Sequence, residues 1–101
     1  MNTTTIGVPK EIKDNENRVA MLPSGARELV QRGHRVIVQR GAGAGAAYRD
    51  EDYRSAGAET VETADAVFSL ADLIVKVKEP QPEEVAMLEP RHILFTYLHL
   101  A

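Results

Sequence analysis

Three residues of this 101-residue chain have the types and positions for anion and acid–base chemistry: Arg18, Lys78 and His99. An arginine presents a planar fork that matches a carboxylate with two parallel hydrogen bonds. A lysine sets a point positive charge on a carboxylate or carbonyl oxygen, and a histidine exchanges a proton near neutral pH. Gathered on one cleft, the three suit a small keto or amino acid. Each also has an ordinary explanation. Arg18 sits in a polar loop, where arginines are commonly just solvated. Lys78 shares a strand face with Lys76 by the period of two, and two charges on a buried strand need either the sheet's end or a partner. His99 lies on the face of Ile93, Phe95 and Tyr97, where a hydrogen-bonded core histidine is the usual finding. His34, after the helix-stopping Gly33, and His92, after Pro90 and Arg91, read as turn or surface residues.

The elements that must position these residues follow from where apolar runs begin and stop. Ile6-Gly7-Val8 is a short strand stopped by Pro9, and the polar stretch from Lys10 to Arg18 is a loop. Ser24 is expected to cap a helix with apolar positions Ala26, Leu29 and Val30, ending at Gly33. Arg35 to Gln39 is a buried strand, Gly41 to Ala47 a loop, Asp50 to Ala56 a short helix and Glu59 to Val61 a brief extended piece. Thr63 caps a helix through Leu70, and Leu73 to Val77 is a strand ended by Glu79-Pro80. Pro82 opens a short helix to Leu88. His92 to Leu100, the longest apolar run, reads as a central strand.

This alternation implies the α/β class: an open, mostly parallel sheet with helices on both faces, Rossmann-like or flavodoxin-like, and incomplete. Ligands of such sheets bind beyond the carboxyl ends of the strands. The loop ending at Arg18, the Gly41 loop, the Lys78-Glu79-Pro80 corner and the tail at His99 all fall there.

Composition narrows the partners. At 101 residues there is room for one small domain, so a two-domain enzyme does not fit whole. A net charge of -3 with interspersed signs and five aromatic residues argues against nucleic acid. With no cysteine, neither a disulfide framework nor a thiolate metal site is available, and no metal ligands are assigned. No basic leader precedes an apolar core, and no apolar run reaches the roughly 20 residues of a membrane helix, so the expected setting is cytoplasmic, without a membrane partner.

Gly41-Ala42-Gly43-Ala44-Gly45-Ala46 follows a strand and fits the loose pattern of a dinucleotide fingerprint, with Glu62 where a ribose-binding acid is expected. The acids at Asp50, Glu51 and Asp52 would repel a pyrophosphate, however, and the following helix is short. The loop is read as a tight turn that lets a neighbour approach, and no cofactor-binding residue is assigned.

Four stretches carry a resemblance: Ile-Gly-Val-Pro-Lys-Glu-Ile-Lys at 6–13, Asn-Glu-Asn-Arg-Val-Ala at 15–20, Val-Lys-Val-Lys-Glu-Pro at 75–80 and Phe-Thr-Tyr-Leu-His-Leu-Ala at 95–101. They resemble the start of alanine dehydrogenases. The related transhydrogenase alpha subunit shares the opening pattern and the glycine loop, but typically lacks the Lys-Glu-Pro corner and the Tyr-Leu-His-Leu-Ala ending; saccharopine dehydrogenases match less well at both.

The resemblance implies that residues 1–101 are the N-terminal part of a substrate-binding domain, with the dinucleotide-binding domain elsewhere. It implies NAD-dependent, reversible oxidative deamination of L-alanine to pyruvate and ammonia by the complete enzyme, commonly a homohexamer. Arg18 and Lys78 would hold the substrate's carboxylate and carbonyl oxygens, and His99 would move or polarise a proton. NAD is expected in the complete enzyme and not on this segment alone. Three other readings stay open: a stand-alone module for a small carboxylate or for protein interaction, the alpha-subunit N-terminal region of an NAD(P) transhydrogenase, and a small nucleotide-binding protein using the Gly41 loop.

Overall fold

A computed structural model describes residues 3–97 of the chain. Strand β1 (Thr5–Val8) leads into a long loop and helix α1 (Pro23–Gln31), followed by β2 (Arg35–Gln39), α2 (Asp50–Ser55) and β3 (Glu59–Val61). The chain continues with α3 (Ala64–Leu70), β4 (Leu73–Lys76), α4 (Pro82–Val85) and β5 (Ile93–Thr96). All four strand pairings are parallel, in the order β3-β2-β1-β4-β5.

That order is doubly wound. The chain steps outward from β1 to β3, then returns to place β4 on the other side of β1, so the topological switch lies between β1 and β4. Period-two alternation sorts the side chains to the two faces. Ile6, Val8, Val36, Val38, Val75 and Val77 form one core with Ala26 of α1 and Tyr53 of α2. Ile37 and Ile74 point the other way and pack on Val67, Phe68 and Ala71 around α3.

The residue of β1 that faces α3 is Gly7, and the space there is closed. A Cβ on Gly7 would stand 2.6 Å from Ala71 Cβ and 2.7 Å from Val67 Cγ1, so the absent methyl sets how closely α3 lies on the sheet.

The expected elements recur with three differences. Thr63 does cap α3, its hydroxyl accepting from the amide of Ala66 at 3.1 Å. Ser24, expected as the cap of α1, is already inside the helix: Pro23 occupies the first turn and Leu22 is the cap. Proline's fixed φ and missing donor suit that first position, which outweighs a serine one residue later. Helix α4 stops at Val85, short of Leu88. Among the described residues the strand expected to be central at 92–100 is the outermost one, β5, with Ile93 68% and Phe95 53% exposed; aromatic and β-branched content marked it as a strand without telling which side would be covered. Residues 98–100 of that expected strand, His99 among them, lie outside the described residues.

Candidate functional site

The loop leaving β1 folds back across the carboxyl end of the sheet and is tied there by its own acids. Pro9 is buried, and the amide of Lys10 donates to Gln39 Oε1 at 2.9 Å. Glu11 then spans the switch point: its carboxylate accepts from Lys76 Nζ at 2.9 Å and from the amides of Val77 at 3.0 Å and Lys78 at 3.2 Å. Lys76 is 1% exposed and meets a second carboxylate, Glu84 Oε2, at 3.0 Å. Glu84 is held in turn by the amide of Gln81, which donates to its Oε1 at 2.9 Å, so the first turn of α4 aims the acid inward. Lys76 therefore takes the partner that a buried strand lysine needs, and Lys78 takes the sheet's end.

A turn through Lys13 to Glu16, with Asn15 in the left-handed region that asparagine tolerates, brings Glu16 and Arg18 over Lys78. Glu16 accepts from the Arg18 amide at 2.8 Å, from Arg18 Nε at 3.0 Å and from Nη2 at 2.9 Å. Lys78 Nζ stands 3.9 Å from the same carboxylate. The Arg18 hydrogen bond is the chief cause that holds the Glu16 carboxyl at about 2, well below the usual carboxylate range, and the charges of Arg18 and Lys78 act in the same direction. Reciprocally, Glu16 raises the Arg18 guanidinium. The Glu16 side chain is 4% exposed while that of Arg18 is 64% exposed, so the acid is tucked under a cation that faces outward.

The glycine loop buttresses this corner. A Cβ on Gly45 would lie 2.6 Å from the carbonyl oxygen of Asn17, between Glu16 and Arg18, so only glycine lets the two loops touch. The Gly41 amide donates to Asp50 Oδ1 at 2.8 Å, and Arg40 pairs with both Glu62 and Asp50. The acid that a fingerprint reading would place on a ribose is thus engaged by a neighbouring arginine.

Two tyrosines hold the chain just beyond Arg18. Tyr97 donates to the Ala20 carbonyl at 3.0 Å and Tyr53 to the Met21 carbonyl at 2.7 Å. Between Arg18, Ala20, Leu22, Val77 and Tyr97 lies an open, largely apolar cleft of about 320 Å3, and a smaller polar one of about 60 Å3 runs past Glu11, Glu16 and Gly45.

Of the three residues singled out from the sequence, the fold brings Arg18 and Lys78 to one corner, at the switch between β1 and β4. His99 follows Tyr97 by two residues and is outside the described part. Sequence reasoning missed Glu16, Glu11, Glu84 and Tyr97. The spacing of Glu16 to Arg18 was the one local sign available, since a carboxylate two residues away can reach back to its own loop. His34 and His92, expected as turn or surface residues, are half-buried and reach across the fold: His34 Nδ1 accepts from the Thr4 amide beside β1 at 3.1 Å, and His92 takes the Glu89 amide on Nδ1 at 2.9 Å while its Nε2 stands 2.7 Å from the Phe68 carbonyl oxygen.

Fold and corner together define a doubly wound α/β domain whose switch point presents two cations, one of them exposed and forked. The comparisons say which such domain this is. Residues 7–101 match the family model of the alanine dehydrogenase/PNT N-terminal domain, and the chain belongs to that family. It is 59% identical over 96 residues to an alanine dehydrogenase of Halomonas elongata and 55% identical to one of Mycolicibacterium smegmatis, covering 95% of this chain and 26% of each relative. Among solved structures, an L-alanine dehydrogenase superposes with a TM-score of 0.87 at 45% identity, over 94% of this chain and 26% of that one. A transhydrogenase from Sinorhizobium meliloti superposes at 0.82 and 28% identity, over 93% and 27%. The chain therefore spans about a quarter of the length of these relatives.

Proposed function

We propose that this segment is the first part of the substrate-binding domain of an NAD-dependent alanine dehydrogenase, which deaminates L-alanine to pyruvate and ammonia and runs the reverse amination. The observation that carries the reading is the meeting of Arg18 and Lys78 at the switch point, in a chain 53–59% identical to several alanine dehydrogenases. The lower likeness to the transhydrogenase, 28%, favours the alanine dehydrogenase reading.

In this reading the exposed fork of Arg18 takes the substrate carboxylate, and Lys78 sets its charge on the carboxylate or carbonyl oxygen. His99 moves a proton at the carbon that carries both oxygen and nitrogen in the carbinolamine; a group that titrates near neutral pH serves both directions. NAD, the hydride acceptor of the whole enzyme, is assigned to the longer chain. The Gly41 loop does not fit a pyrophosphate, because Asp50 already takes its first amide and three acids open the next helix. A homohexamer in the cytoplasm is the assembly and setting that the family resemblance suggests, and no helix among the described residues is long and apolar enough to cross a membrane.

The test is steady-state assay of the full-length enzyme carrying this segment, with L-alanine and NAD and with pyruvate, ammonia and NADH. Arg18→Ala is expected to raise KM for both organic substrates, and His99→Ala to lower turnover at least about a hundredfold, the usual scale for a lost acid or base. Absence of alanine-dependent NAD reduction in the parent enzyme would refute the reading.

A further inference from the structure

Binding a carboxylate needs Arg18 and Lys78; it does not obviously need a third charge between them, least of all an acid. Yet Glu16 sits there, its side chain 4% exposed, with three hydrogen bonds from Arg18 and Lys78 Nζ at 3.9 Å. An anion buried under the site costs solvation and competes with any incoming carboxylate, so its presence calls for a reason beyond holding a loop.

Two features of the geometry supply one. Glu16 takes Arg18 by one edge only, through Nε and Nη2, while Nη1 makes no hydrogen bond among the described residues. The Nη1/Nη2 edge is left to receive an external carboxylate in the bidentate manner, with the guanidinium already fixed in place. The charges also come out uneven: two cations and one acid leave a single positive charge uncompensated at the corner. Around it, exposed Lys10 on the wall of the small cavity is offset by the buried set of Glu11, Lys76 and Glu84, in which two acids face one lysine.

We infer that Glu16 is a specificity-determining residue, one that tunes this corner to accept an organic acid with one carboxylate and to reject dicarboxylates. The inference rests on the amino-acid dehydrogenase reading above. A monocarboxylate 2-oxo acid or amino acid neutralises the surplus charge and stops there. A second carboxylate on the same substrate that enters beside Glu16 meets a like charge with Arg18 and Lys78 already engaged and only the exposed, solvent-screened Lys10 to offset it, and that repulsion disfavours the dicarboxylate.

The experiment compares pyruvate with 2-oxoglutarate and oxaloacetate as substrates for reductive amination by the full-length enzyme, as parent, Glu16→Gln and Glu16→Asp. The quantity read is the ratio of kcat/KM for each dicarboxylate to that for pyruvate, which a general loosening of Arg18 leaves unmoved because both substrates suffer it alike. Glu16→Gln is expected to raise the ratio at least about tenfold, and Glu16→Asp, which keeps the charge, to leave it near the parent value. An unchanged ratio in Glu16→Gln, or an equal rise in Glu16→Asp, overturns the inference. Should Glu16→Gln not fold, Glu16→Ala is read by the same ratio, and loss of folding in both assigns Glu16 a structural role and overturns it too. Failure of the parent to aminate pyruvate at all would instead count against the dehydrogenase reading itself.

Discussion

Lys76 and Lys78 are two residues apart at the carboxyl end of β4, alike in chemistry and opposite in circumstance. Lys76 is sealed between Glu11 and Glu84, all three buried, in a set with a surplus of negative charge. Lys78 is a fifth exposed and shares one acid, Glu16, with an arginine that faces outward, in a set with a surplus of positive charge. The contrast teaches that burial and satisfaction, rather than residue type, separate a lysine that fastens the fold from one available to a ligand. Glu11 joins the two sets, since one carboxylate accepts from the Lys76 ammonium and from the Lys78 amide.

The largest expected effect lies on the sealed side. Lys76→Met in the full-length protein leaves two buried carboxylates facing each other without a cation, and stability is expected to fall by about 3–5 kcal/mol, as for other broken buried pairs. The denaturant midpoint measures it; a loss under about 1 kcal/mol would break the contrast. On the open side, Lys78→Met is expected to shift that midpoint little and to lower kcat/KM for pyruvate by about a hundredfold, the scale of one lost charge-stabilising donor. If instead both variants lost stability alike, the two lysines would share a single structural role.

The smallest effect is in acid. Because the folded Glu16 carboxyl is held at about 2, below its ordinary 4.5, its contribution to stability is complete above the ordinary value and is lost as pH falls toward 2. A carboxyl-carbon NMR titration resolved at Glu16 is expected to show a midpoint near 2. A midpoint near 4.5 would mean that Arg18 does not hold the acid in solution.

Much of this arrangement was legible beforehand, and for identifiable reasons. Strand ends could be read because each apolar run meets a proline, a glycine or a charge, as at Val8-Pro9 and Gln39-Arg40-Gly41. Parallel pairing then fixes that Arg18 and Lys78 lie on the same end of the sheet. What stayed hidden depended on distance. Glu84 reaches Lys76 around a corner set by Pro80 and Pro82, and nothing in local spacing marks a surface-looking acid of a four-residue helix as one of the most deeply buried side chains. Nor could periodicity show that β5 is an edge, since exposure there depends on what covers Ile93 and Phe95 rather than on their own pattern. The glycine loop was read as a turn for the acids that follow it; its contact with Asn17, which makes it a support for the Arg18 loop, appears only in three dimensions.

The hydroxyl of Tyr97 bridges 77 residues to reach the carbonyl of Ala20. A ribosome adding roughly 5–20 residues per second needs on the order of ten seconds to cover that stretch. For all that time the Arg18 loop exists without its tether. The Tyr97–Ala20 tether is therefore among the last contacts of the described segment that synthesis makes possible, and it is one of the long-separation contacts that slow folding.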